Sequence, residues 1–142
     1  MRTIDVFFYG LFMDEDLLRA KGIRVTAMRP ASVQGFELCI GNRATLVPEK
    51  SSCVFGMVAS LSHAELERLY SEPSVQAYRA EALLAQLENG ETIAALCFNL
   101  VDPPAPDERN PEYAAKLRAL AERLKFPRDY VASIQYARGK LS

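Results

Sequence analysis

Val6-Phe7-Phe8-Tyr9-Gly10-Leu11-Phe12-Met13 is an apolar run that meets a glycine and then, at Asp14, a residue suited to begin a helix. Residues 3 to 9 are rich in β-branched and aromatic side chains and read as a strand. Asp14 can accept amide hydrogen bonds as an N-cap and Gly22 suits the C′ position, so a short helix is expected between them. Tyr9-Gly10 therefore falls at a strand-to-helix junction. A glycine there can take positive φ and lets a ligand approach the backbone, so that consecutive amide N–H groups converge on one carboxylate or phosphate. The plainer reading is a strand end, with Phe12 and Met13 as ordinary core side chains.

Downstream of this junction the pattern turns short and β-like. Ala31 to Leu38, Ala44 to Val47 and Cys53 to Leu61 read as strands, divided by Gly41-Asn42 and by Pro48-Glu49-Lys50-Ser51-Ser52. Such spacing suits a meander or barrel rather than a parallel α/β sheet. Ser62-His63-Ala64-Glu65 is a capping box that opens a helix from about His63 to Tyr70. Tyr78 to Leu87 and Thr92 to Leu100 flank Asn89-Gly90, a strong hairpin signal. Pro103, Pro104 and Pro106 forbid helix in the connector from Asp102 to Asp107. Asn110-Pro111 then starts a helix whose apolar face carries Tyr113, Leu117, Leu120 and Leu124. A last short helix is expected from Pro127 to Arg138, with Val131 and Ile134 inward.

The chain has 142 residues, 49% hydrophobic, which fits one globular domain over residues 1–142. Lys and Arg total 17 against 18 Asp and Glu, with the signs interspersed, so no basic stripe is available for nucleic acid. The run from Val6 to Met13 falls far short of the ~18 residues a membrane span needs, and Asp5 sits where a signal peptide avoids acids. A cytoplasmic location is the resulting expectation. Cys39, Cys53 and Cys97 are odd in number and set among apolar residues, as reduced buried thiols are. Zinc is not expected, because His63 is the one histidine and no paired Cys-x-x-Cys occurs. His63 itself falls in the first turn of a helix and reads as a solvated surface residue.

Without a metal cluster, a Ser-His-Asp set or a phosphate loop, the available catalytic chemistry reduces to carboxylates near the Tyr-Gly junction. Glu72 stands out among them. It follows a helix, precedes Pro73 and lies six residues before Tyr78. Flanking apolar groups at such a crossing can partly desolvate a carboxylate, which suits it to proton transfer. The bland alternative is a solvated loop acid. Glu81 is a second candidate, but period-2 alternation puts it on the face opposite Tyr78 and it reads as an outward charge.

The order of these features resembles the γ-glutamylcyclotransferase-like superfamily, which includes the AIG2-like proteins. The resemblance covers almost the whole chain. It rests on Phe7-Phe8-Tyr9-Gly10-Leu11, Arg43-Ala44-Thr45-Leu46-Val47-Pro48, Val54-Phe55-Gly56-Met57-Val58, Leu66-Glu67-Arg68-Leu69, and Glu72 followed by Tyr78-Arg79 and the glycine-turned hairpin. It implies an α+β fold, a compact mixed β-barrel with flanking helices and two C-terminal helices. It further implies a pocket beneath the Tyr9-Gly10 loop, with the amides of Gly10, Leu11 and Phe12 holding a substrate α-carboxylate. Glu72 would act as base and then acid, and Tyr78 would orient Glu72 or the substrate. The implied reaction closes the γ-glutamyl group of a small substrate into 5-oxoproline and releases an amine, with no metal or cofactor. Met13, Phe98 and Tyr70 are the candidates for the pocket rim.

Two departures from the family pattern stand out. Leu11 occupies a place where Ser or Thr is common, and the interval from Leu69 to Glu72 is one residue shorter than usual. They motivate an alternative, a non-catalytic member of the fold that binds a small carboxylate. A third reading is an interaction protein in which the proline-rich connector presents the C-terminal helices to a partner.

Overall fold

A computed structural model describes residues 2–25 and 27–134. Its centre is a closed barrel of five strands in the order β1-β3-β2-β4-β5. These are β1 (Thr3–Phe8), β2 (Met28–Ile40), β3 (Ala44–Ser62), β4 (Tyr78–Leu87) and β5 (Thr92–Leu100). All neighbours are antiparallel except β1 and β5, which meet in parallel at Val6 and Leu96 and so close the mixed barrel. Helices α1 (Glu15–Ala20), α2 (His63–Leu69), α3 (Pro111–Arg123) and α4 (Arg128–Ser133) flank it. The fold is thus the α+β barrel expected, with two helices following the last strand.

The unbroken apolar run of β1 has a simple cause. Val6, Phe7 and Phe8 are all buried, so both faces of the strand are covered and no polar alternation is needed. After a 3₁₀ turn at Leu11–Met13, the Asp14 side chain accepts from the Asp16 N–H, and the helix it caps closes with Gly22 at φ +80°.

One expectation is corrected in β3. Ala44–Ser62 is a single strand, and Pro48 to Ser52 lie within it instead of forming a turn. The pairing explains why the sequence misleads. Over residues 44–48 the backbone ladder of β3 runs with β2 alone, residues 49–52 bulge out where the register slips, and β1 joins only from Met57 onward. A two-stranded ribbon tolerates proline on its free edge and carries polar, exposed side chains, both of which imitate a loop. The ribbon is bent where the β2–β3 register slips between Gln34 and Phe36, at Gly35 with φ +88°. The Asn89-Gly90 hairpin is present, though its connection is longer than two residues, since Gln86 pairs with Thr92 and Gly90 sits at φ +90°.

The capping box at Ser62 is complete, with the Glu65 N–H donating to Ser62 Oγ and the Ser62 N–H donating to Glu65 Oε1. Ser62→Ala is expected to cost about 1 kcal/mol in a denaturant melt. The hydrogen bond from the Ser62 amide, foremost, holds the Glu65 carboxyl below its usual range. Its folded pKa therefore lies under its unfolded value. The stability it contributes is complete above the ordinary glutamate pKa of ~4.3 and is lost as pH falls through the folded value. Glu65→Gln is expected to flatten that part of a pH–stability curve.

Asn110 accepts from the Tyr113 N–H to open α3, which buries Ala114, Leu117, Leu120 and Ala121. Val131 and Ile134 are buried as expected, while residues 135–138 of the expected last helix lie outside the described residues. No helix among the described residues is long and apolar enough to cross a membrane. Cys39 and Cys97 are buried, Cys53 is half-buried, and none of the three forms a disulfide.

Candidate active site

Beneath the end of β1 lies a cavity of about 350 Å³, lined among others by Tyr9, Gly10, Leu11, Phe12, Glu72 and Tyr78. The six residues singled out from the sequence therefore border one space. Phe98 and Tyr70 also line it, whereas Met13 does not and is a core residue.

Gly10 is needed for a reason other than the one expected. Its φ is −112°, which any residue adopts, so left-handed freedom is not used. What it supplies is room. A Cβ at Gly10 would stand 2.5 Å from the hydroxyl oxygen of Tyr113, which reaches the turn from α3. Burial, the larger influence, pushes the Tyr113 phenol up to about 12, opposed by the nearby Leu11 backbone amide. The turn carries no hydroxyl after Tyr9, and the one that reaches it comes from α3, a hundred residues later.

Aromatic rings form much of the wall. Tyr70 stacks on Phe98 with centroids 3.9 Å apart, and Phe12 meets Tyr70 edge-on at 5.8 Å. The Tyr9 hydroxyl donates to the Phe98 carbonyl at 2.7 Å, tying the end of β1 to β5. The Tyr78 hydroxyl donates to the Ala44 carbonyl and binds β4 to the start of β3. Burial raises the pKa of Tyr9, Tyr70 and Tyr78, which keeps all three phenols protonated, Tyr9 and Tyr78 as hydrogen-bond donors.

Glu72 lies just beyond α2 in a segment folded by successive turns, in which the Val75 N–H donates to the Glu72 carbonyl and the Tyr78 N–H to the Val75 carbonyl. Its carboxylate accepts from Lys21 Nζ at both oxygens, 2.9 and 3.0 Å, and the side chain keeps 37% of its surface exposed. Lys21 is the C-cap residue of α1 and lines the same cavity. Nothing in the sequence marks it, since a lysine before a C′ glycine is ordinary helix-ending chemistry. Glu81 lies on the face opposite Tyr78 and is exposed, as expected of an outward charge, but it also has a partner. It faces the same side as the buried Cys97, and its carboxylate accepts from the buried Asn99 amide at 2.7 Å.

Comparison with known proteins agrees with this architecture. A family model described as gamma-glutamyl cyclotransferase, AIG2-like, matches residues 6–116. No curated protein matches the sequence significantly. Among solved structures, a gamma-glutamyl cyclotransferase is similar at a TM-score of 0.76 and 16% identity, over 99% of this chain and 92% of its own. An uncharacterised protein from Homo sapiens is similar at 0.74 and 18%, over 100% and 93%. A gamma-glutamyl cyclotransferase specific to glutathione from yeast is similar at 0.58 and 14%, over 93% and 96%. With the family model spanning most of its length and the barrel shared with these structures, the chain belongs to the gamma-glutamyl cyclotransferase, AIG2-like family.

Proposed function

We propose that the protein is a cyclotransferase that converts a small γ-glutamyl compound into 5-oxoproline and a free amine, using Glu72 as its proton carrier. One observation carries the reading: the Glu72 carboxylate and the turn from Tyr9 to Phe12 border the same cavity. The substrate's α-carboxylate is held at that turn by the amides of Gly10, Leu11 and Phe12, with the Tyr113 hydroxyl beside them. Glu72 takes a proton from the α-ammonium, and the freed lone pair attacks the γ-carbonyl to close a five-membered lactam. The γ-carbon–nitrogen bond breaks as Glu72 passes its proton to the departing nitrogen, and the second proton that the α-nitrogen loses on becoming the lactam N–H follows through the same carboxylate, so the released amine departs as an ammonium. The reaction is a rearrangement of bonds within the substrate with no net gain or loss of protons. Lys21 grips both oxygens of Glu72 and acts as a positioning residue. Purified protein incubated with a panel of γ-glutamyl amino acids is expected to release 5-oxoproline, and silence across the panel removes the proposal.

That same grip favours a second reading. A carboxylate engaged at both oxygens by one ammonium is partly occupied, and the cavity then serves to bind a small carboxylate without turning it over. Ligand at about 100 times its Kd would stabilise the fold by about 2.7 kcal/mol. Thermal stabilisation by a γ-glutamyl compound without product would identify this case.

A further inference from the structure

The tip of the β2–β3 ribbon, residues 41–43, is held more firmly than a three-residue loop requires. The Gly41 N–H donates to the Arg43 carbonyl, the Asn42 N–H to Glu108 Oε1, and the Asn110 side-chain amide to the Asn42 carbonyl, each at 3.0 Å. Gly41 has no room for a side chain, because Pro104 and Glu108 of the connector fill the place of its Cβ. The connector therefore braces this tip, and the tip carries Arg43 to the wall of the cavity.

Arg43 stands there without a carboxylate. Among the described residues, no acidic oxygen lies within 4 Å of its guanidinium. Glu108, the acid that feels its charge, is committed elsewhere, with one oxygen on the Asn42 amide and the other on the Ala105 amide at 3.2 Å. Lys21 and Glu72 cancel one another, so Arg43 leaves the cavity with one positive charge in excess. A γ-glutamyl head group carries an ammonium and a carboxylate and is neutral. The charge that complements the cavity must therefore sit on the other half of the substrate. A guanidinium presents a planar fork that matches a carboxylate in two parallel hydrogen bonds.

We propose that Arg43 binds a carboxylate on the departing amine, which makes γ-glutamyl amino acids or peptides the preferred substrates over γ-glutamyl amines that lack an acid. The inference rests on the cyclotransferase reading and narrows it. Brace and charge work together: an exposed arginine on a loose loop would spend its binding free energy on being ordered, whereas residues 41–43 are ordered beforehand.

The test compares γ-glutamyl-L-alanine with γ-glutamyl-L-alaninamide, which differ in the one charge. Full-length protein is expected to favour the acid by about tenfold or more in kcat/KM, chiefly through KM. The preference is expected to shrink as salt is raised, because Arg43 is an exposed residue. In Arg43→Gln the acid-to-amide ratio is expected to fall toward one, and Arg43→Lys is expected to retain part of it. A ratio near one in the unaltered protein, or a ratio that survives Arg43→Gln, overturns the inference. Should neither compound turn over, calorimetric binding of the same pair decides. Preference for the acid that vanishes in Arg43→Gln keeps the arginine's role and discards the reaction, while equal binding or none discards both.

Discussion

Glu72→Gln is expected to lower the rate of 5-oxoproline formation by about 10² to 10⁴-fold, the range that a positioned acid–base group contributes. The substitution is nearly isosteric. A glutamine at position 72 keeps one oxygen to accept from Lys21 but can neither take the proton of the α-ammonium nor hand one to the departing nitrogen. Stability is expected to change little, because the Lys21–Glu72 pair is partly exposed and such pairs contribute about 0–1 kcal/mol. A fall in kcat with KM and the thermal midpoint nearly unchanged is therefore the signature of a proton carrier. Unaltered turnover would show that the proton travels by another route. A fall matched by loss of folded protein would mean that the residue serves structure.

The largest effect on stability is expected at Gly56. This residue lies on β3 where it runs between β1 and β2, and a Cβ there would press on the Phe8 carbonyl oxygen and sit 2.7 and 2.9 Å from two Phe7 ring carbons. Neither neighbour can yield cheaply. Phe8 belongs to the β1–β3 ladder, opposite Met57, and Phe7 is packed in the core at 1% exposure. Overfilling of this kind costs about 1–3 kcal/mol and at times more. Gly56→Ala is expected to lower the denaturant midpoint by that amount with an unchanged slope, and Gly56→Val by more. A neutral Gly56→Ala would mean that β1 does not cross β3 at this point. Because β1 delivers Tyr9 and Gly10 to the cavity, the same variants are expected to lose activity in step with folded population.

The barrel was legible in the sequence wherever local chemistry and tertiary need agree. Asp14, Ser62-Glu65 and Asn110-Pro111 cap the helices they announce, and Asn89-Gly90 turns the hairpin it announces. The residues bordering the cavity were legible through their order along the chain, since Tyr9 to Phe12, Glu72 and Tyr78 each follow a recognisable element. What was hidden depends on partners remote in sequence. Pro48 to Ser52 look like a turn because they sit at and beside a bulge in a two-stranded ribbon, where neither a ladder nor an apolar face is required. Lys21 looks like a helix terminator, and its place opposite Glu72 depends on the turn after α1 being tied to α2, where Arg68 donates to the Gly22 carbonyl and the Arg24 N–H to Glu65, which no periodicity records. Tyr113 looks like one member of an apolar stripe, and only the approach of α3 to the first turn shows that its hydroxyl is used there.

Closure of the barrel by β1 and β5 sets a timetable for the nascent chain. The first strand emerges well before its parallel neighbour at Leu96 and before the phenol that reaches its turn, at Tyr113. At ~5–20 residues per second, several seconds pass in which β1 can pair only with β3 and leaves its other edge bare. The cavity therefore matures after most of the barrel has formed, and ribosome-bound chains stalled before residue 113 should display a sticky strand edge and no ligand affinity.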